Sequence, residues 1–306
     1  MKKKIYIVLI IILIILFTNI VVTCIVTLNT NKEPINQTTK EQQIKYKGIS
    51  TTIYRYTTKL NIENNLNKFE NINSSVSLCV MEYINKPTDN VITSIPNWQF
   101  KMDTFMKIAN EKNIKVEMLK PHIGTYSGGD GFSRRNYNPE NKELFFSNWQ
   151  SILLKYANYC DLHNIPLLAI ECEMSQLTTE KYYLNWEKII NTIKKKYPKL
   201  KITTAFTSSQ LKNEIISKKK GLKSILDLVD YIGYNFYPTL QKDDLNKIAI
   251  QYNNTFNNVF TLWHKKILIT ESGSTSWSNV DSNKLYPIYI PKEKGIPYNF
   301  TNQHIF

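Results

Sequence analysis

The chain has 306 residues and a formal net charge of +14, from 39 Lys and Arg against 25 Asp and Glu, with 42% hydrophobic residues and four cysteines. No Cys-x-x-Cys pair occurs, so the cysteines are expected as small buried hydrophobes with no disulfide framework or metal site, and no cofactor is expected. Lysine is spread along the chain, with runs such as Lys194-Lys-Lys196 and Lys218-Lys-Lys220 where solvated helix faces or loops are expected, and no basic patch interleaves with a nucleic-acid-reading motif. Nucleic acid is therefore excluded as the expected partner.

Lys2, Lys3 and Lys4 precede the apolar stretch Ile5 to Leu28. At 1.5 Å per helical residue this stretch is long enough to cross about 30 Å of hydrocarbon, and it reads as a transmembrane helix. Basic residues ahead of it favour a cytoplasmic N-terminus and export of the chain beyond Thr30. No Ala or Gly occurs before Gly48 to mark a signal-peptidase site, so residues 1–28 are expected to be an uncleaved anchor. The alternative, lipidation at Cys24 in Val21-Val-Thr-Cys24, is weakened by Thr23 and by the apolar run continuing past it. Residues 29–47 are polar and lack apolar periodicity, as a solvated linker would.

Residues 48–306 make one domain's worth of chain. Strands are expected near 48–54, 75–84, 115–123, 166–174, 201–206, 230–238 and 267–273, with helices at 59–71, 98–113, 143–163, 179–197, 221–228 and 243–264. Strict β-then-α order implies right-handed crossovers and a parallel sheet, and at about 260 residues it fits an α/β fold of the (β/α)8 TIM-barrel kind, monomeric. An open doubly wound sheet is the alternative, but the Gly-rich phosphate turn it would carry after the first strand is missing. No eighth strand can be read after residue 273, which makes the barrel incomplete at its C-terminus.

Chemistry-bearing side chains gather at the C-terminal ends of these strands. Leu167-Leu-Ala-Ile-Glu-Cys-Glu-Met174 and Ile267-Leu-Ile-Thr-Glu271 each deliver a glutamate there. Alternation along a strand would turn both Glu171 and Glu173 inward, with Glu173 nearer the mouth. Lys120 and His122 share a face of the third strand, and Asn235 and Tyr237 project together from the sixth. Two carboxylates at one mouth are the minimum machinery for cleaving a glycosidic bond, because their environments can hold one ionised and the other protonated. His122 bonding a backbone carbonyl, a Lys120–Glu171 pair and a core Tyr237 are the structural readings of the same residues.

Met118-Leu-Lys-Pro-His122, Leu144-Phe-Phe-Ser-Asn-Trp149 with Tyr156-Ala157, Glu173-Met-Ser175, Asp230-Tyr-Ile-Gly233 with Tyr237-Pro238, and Thr270-Glu-Ser-Gly273 together resemble glycoside hydrolase family 113. That family comprises clan A barrels known as retaining β-1,4-mannanases. The resemblance implies that Glu173 is the acid/base and Glu271 the nucleophile, with Lys120, His122, Asn235 and Tyr237 lining the cleft and Tyr237 orienting Glu271. It adds Arg134, in a loop that loosely matches the family's substrate-binding segment after the third strand; apart from the resemblance, Trp149 and Trp277 are candidate sugar-stacking faces. Cys172 stands where many clan A enzymes have Asn. A β-linked polysaccharide is the implied partner, met outside the cell by a domain anchored through residues 5–28. The alternative is a catalytically impaired, membrane-anchored glycan-binding protein of the cell envelope.

Overall fold

A computed structural model describes residues 46–69, 75–129, 131–237 and 245–272. The strands are β1 (Gly48–Ile53), β2 (Ser75–Ile84), β3 (Thr93–Ser94), β4 (Val116–Thr125), β5 (Leu167–Ala169), β6 (Lys201–Thr203), β7 (Ile232–Phe236) and β8 (Ile267–Ser272). The helices are α1 (Lys59–Asn67), α2 (Trp98–Glu111), α3 (Lys142–Leu162), α4 (Tyr183–Lys196), α5 (Ser208–Lys219) and α6 (Leu245–Trp263). The main sheet runs β1-β2-β4-β5-β6, all parallel, and β7-β8 form a second parallel pair. Single parallel bridges, Thr203 to Tyr231 and Phe206 to Tyr234, carry the order on from β6 to β7. The short β3 lies antiparallel on β2. This is a parallel α/β fold with barrel-like strand order, and the stretch after residue 273, where no eighth barrel strand is expected, lies outside the described residues.

Helical periodicity in the sequence explains how the outer layer seals the strands. In α3, Phe145, Phe146, Trp149, Leu153, Tyr156 and Cys160 recur at three- and four-residue spacing and are all buried. Asn141 caps that helix by accepting from Leu144 N at 3.0 Å. In α4 the buried stripe is Trp186, Ile189, Ile190 and Ile193, and Lys194, Lys195 and Lys196 occupy the last turn, where positive charge suits the helix dipole. Trp149, expected as a sugar platform, is instead a core residue with no exposed surface. Its indole N–H donates to Ile170 O at 2.9 Å and so supports the strand end just before Glu171.

One expected helix changes. The helix expected at 221–228 is a single 3-10 turn, Ile225–Asp227, and the helix in that stretch is α5, thirteen residues earlier at its start. It begins at a capping box in which Thr207 Oγ1 accepts from Gln210 N and Thr207 N donates to Gln210 Oε1. Gly233 permits β7 to lie against β6: a Cβ there would stand 1.7 Å from Thr204 O. That close approach sets the height at which Asn235 emerges.

Glu214 on α5 is 7% exposed, accepts from Ser224 Oγ, and is pushed up to about 7 by burial. Its folded pKa lies above the unfolded value, so the folded state favours the protonated form. Stability from that form is full below about pH 4.5 and is lost as pH rises through about 7. Glu214→Gln should therefore raise the thermal midpoint at pH 8, by the equivalent of up to about 3 kcal/mol, with little change at pH 4.5. Calorimetry at the two pH values checks this.

The expected anchor at residues 1–28 and the expected linker at 29–47, except its last two residues, lie outside the described residues. Among the described residues no helix is long and apolar enough to cross a membrane.

Candidate active site

Glu271 near the end of β8 is surrounded by donors. Its Oε1 is paired with the Lys120 ammonium and lies 3.3 Å from His122 Nε2, while its Oε2 accepts from the Tyr237 hydroxyl at 2.8 Å. Lys120 has no exposed surface, and its Nζ also donates to Thr270 O at 3.2 Å. Burial alone would push the Glu271 carboxyl up, but Lys120 and then His122 outweigh it and hold the group well below the usual carboxylate range. Burial pulls the Lys120 ammonium down, and the charges around it, Cys79 and Glu271 foremost, reverse this and hold it protonated. Glu271 is thus an ionised carboxylate at any ordinary pH. The structural alternative, a Lys120–Glu171 pair, is replaced by Lys120–Glu271.

Glu173 has different surroundings. Its Oε1 accepts from Asn235 Nδ2 at 3.0 Å, its Oε2 lies 3.4 Å from Arg134 Nη2, and its side chain is 22% exposed. The alternation expected for residues 167–173 stops at Ala169, where strand pairing ends, and Glu173 takes a left-handed backbone with φ of 56°. Glu171, two residues earlier, is held differently. It is fully buried, and its two oxygens accept from Ala205 N at 2.9 Å and Met174 N at 3.2 Å. Burial pushes it up to about 7 against the pull of those bonds. Glu173 N donates to Ala205 O at 3.0 Å, so the strained residue is pinned on both sides. Glu171→Ala should loosen this turn and leave two buried N–H groups without acceptors, costing about 2 kcal/mol or more of stability. Denaturant unfolding measures that cost.

Asn235 and Tyr237 join the two acids. Asn235 is 2% exposed, donates to Glu173, and accepts from Thr270 Oγ1 at 2.8 Å, the residue next to Glu271. Asn235 and Glu271 are also register partners between β7 and β8. A cleft of about 370 Å³ opens beside Glu173, Asn235 and Tyr237, bounded further by Arg135, Thr207 and Ser208. A larger cavity of about 470 Å³ lies at the other end of the strands around Val116 and Pro166, away from this pair of carboxylates.

The structure thus gathers Lys120, His122, Asn235 and Tyr237 around the two acids, puts Arg134 against Glu173, and leaves Trp277 outside the described residues. Sequence reasoning missed Thr207 and Ser208. Their signal was the capping box directly after β6, because a helix that starts at a strand's C-terminal end presents its first turn to the mouth.

Cys79, His122 and Glu271 offer donor atoms within 4.8 Å of one another, the one such group among the described residues that could hold a metal ion. The Lys120 ammonium already sits as the cation on Glu271 Oε1, and this set does not need a metal to balance its charge. Cys79, Cys160 and Cys172 are free and buried.

An ionised carboxylate and a second, partly exposed one, set at the C-terminal mouth of a parallel α/β sheet, define a glycoside hydrolase. The model of glycoside hydrolase family 113 matches residues 99–287, and the chain belongs to that family. No curated protein matches it by sequence. Among solved structures, a complex of a family 113 β-1,4-mannanase is 18% identical with a TM-score of 0.64, covering 84% of this chain and 80% of that one. The family 113 β-mannanase AaManA from Alicyclobacillus acidocaldarius, in complex with ManMIm, is 14% identical with a TM-score of 0.64, covering 85% and 80%. A glycoside hydrolase family 2 β-galacturonidase from Eisenbergiella tayi is 15% identical with a TM-score of 0.51, covering 84% of this chain and 39% of that one. At these identities the likeness is one of fold.

Proposed function

We propose that the protein is a retaining glycoside hydrolase that cleaves a β-linked polysaccharide of the β-1,4-mannan type outside the cell, held to the membrane through residues 5–28. The observation that carries this reading is the asymmetry of the two acids, Glu271 saturated by Lys120, His122 and Tyr237 and Glu173 partly open to the cleft. Glu271 is the nucleophile: its ionised oxygen attacks the anomeric carbon while Glu173 protonates the departing glycosidic oxygen. Glu173 then removes a proton from water, which opens the glycosyl ester and restores both groups. Tyr237 fixes the orientation of the nucleophile, Asn235 that of the acid, and Arg134 steadies Glu173 from its other side. Lys120 and His122 keep Glu271 ionised inside a buried site.

The two steps together preserve the anomeric configuration. Proton NMR of the first product formed from a β-1,4-linked mannooligosaccharide should show the β-anomer before mutarotation. The α-anomer would reject the double-displacement assignment, and no cleavage of any β-linked oligosaccharide would favour glycan binding without turnover. A second expected result separates the two roles. Glu173→Gln should retain far more of its activity on aryl glycosides with good leaving groups than on oligosaccharides, since such groups depart without a proton. Equal losses on both substrates would remove Glu173 from the acid role.

A further inference from the structure

The C-terminal ends of β1, β2 and β4 carry an aromatic cluster that the reaction does not use. After β1 the chain makes a turn, Tyr54-Arg-Tyr-Thr57, closed by Tyr54 N donating to Thr57 Oγ1 at 2.8 Å and Thr57 N donating to Tyr54 O at 3.1 Å. Lys101 on α2 pins the turn from below by donating to Tyr54 O and Arg55 O. The rings of Tyr54 and Tyr56 stack with centroids 5.4 Å apart and planes 2° from parallel, and Tyr56 remains 70% exposed. Beside them the Arg55 guanidinium lies 5.1 Å from the centre of the Tyr126 ring and 5.9 Å from that of Tyr83. Those two rings are themselves stacked at 5.0 Å.

An exposed tyrosine on a free turn would be mobile. Here backbone bonds, a lysine and a stacked partner hold it in place, so an open ring face is presented at little entropic cost. The cluster also belongs to the catalytic mouth. Tyr126 continues the column of alternate β4 residues through Lys120, His122 and Gly124, and Tyr83 continues the β2 column through Cys79 and Met81, with Met81 opposite His122 in the register. Four residues of extended strand place the rim about 13 Å beyond His122. A pyranose ring presents a C–H face that packs on an aromatic ring and an edge of hydroxyls that accept from a guanidinium, and Tyr56 with Arg55 supplies both complements.

We propose that Arg55, Tyr56 and Tyr126 form a distal sugar subsite, which takes a further unit of the glycan whose scissile bond lies between Glu173 and Glu271. This deepens the glycosidase reading and rests on it. The subsite makes the enzyme prefer long chains, because only they reach from the carboxylates to the rim.

The test compares a β-1,4-linked hexasaccharide with a trisaccharide as substrates of the full chain in detergent. The ratio of their kcat/KM values should fall roughly tenfold in Tyr56→Ala, the loss of one stacked ring, and also fall in Arg55→Ala. Tyr56 is exposed, so its removal leaves the core packing in place. An unchanged ratio in both variants overturns the subsite while leaving the glycosidase reading intact. If the unaltered protein cleaves neither sugar, the glycosidase reading fails, and calorimetric binding of the hexasaccharide decides the subsite separately. Tighter binding by the unaltered chain than by Tyr56→Ala supports it, and equal or absent binding overturns it.

Discussion

Glu271→Gln should lower hydrolysis by on the order of 10⁵-fold, the scale of losing a nucleophile, and should also destabilise the fold. The second effect arises from Lys120. Its ammonium has no exposed surface, and the carboxylate it pairs with is that of Glu271. An amide in that place leaves a buried cation without its counter-charge, at a cost of about 3 to 5 kcal/mol. Glu173→Gln should stop oligosaccharide hydrolysis with a much smaller change in stability, within about 1 kcal/mol, because Glu173 is partly solvated and faces Arg134 at 3.4 Å. Steady-state kinetics and urea unfolding of the two variants, side by side, measure both quantities. Equal destabilisation would mean that Lys120 is not the buried counter-ion of Glu271.

Lys120→Met should move the acid limb of the kcat/KM profile to higher pH by roughly one to three units. Of the influences on Glu271, burial is the largest and pushes its pKa up, and Lys120 is the largest that holds it down. Removing the ammonium lets burial prevail. The nucleophile must be ionised to attack, so the pH at which activity is half lost on the acid side tracks its pKa upward. The same linkage has a stability signature. The depressed pKa of Glu271 contributes stability that is fully present above its unfolded value near 4.5 and is lost as pH falls toward the folded value. In Lys120→Met that acid-side loss should shrink. An acid limb that stays in place would assign the control of Glu271 to another group.

Much of the site could be read from residue order alone because strand periodicity is a strong constraint. Lys120 and His122 share a face of β4, and that face does meet Glu271. Asn235 and Tyr237 leave β7 on one side and reach Glu173 and Glu271 respectively. In the expected 166–174 strand, pairing ends earlier, at Ala169. Alternation holds only while φ stays extended, and the left-handed residue at 173 breaks it. The signal for that turn is weak, since Glu is not a residue that favours positive φ and only the buried acceptor at 171 makes it tenable. Trp149 shows another limit: an aromatic on an amphipathic helix can serve the core or a ligand, and its periodic neighbours Phe145, Phe146 and Leu153 place it in the core. Helix α5 was missed although Thr207 and Gln210 carry a cap signature, because the apolar pattern of the helix itself is weak.

The asymmetry of the two carboxylates also accounts for the role of the surrounding fold. Lys120 comes from β4, Asn235 and Tyr237 from β7 and the segment just after it, and Glu271 from β8, so the environment of the proposed nucleophile draws on three strands. The acid depends instead on the segment after β5, held to Ala205 by its own N–H and by the carboxylate of Glu171.

The most direct test is to trap the first step. A 2-deoxy-2-fluoro-β-mannoside with an activated leaving group slows both steps and the hydrolysis of the ester most, so a glycosyl-enzyme should accumulate. Peptide mass spectrometry after proteolysis should then find one fluoroglycosyl group on the peptide containing Glu271, and none in Glu271→Gln. Label on Glu173, or on any other residue, would contradict the assignment of Glu271 as the nucleophile.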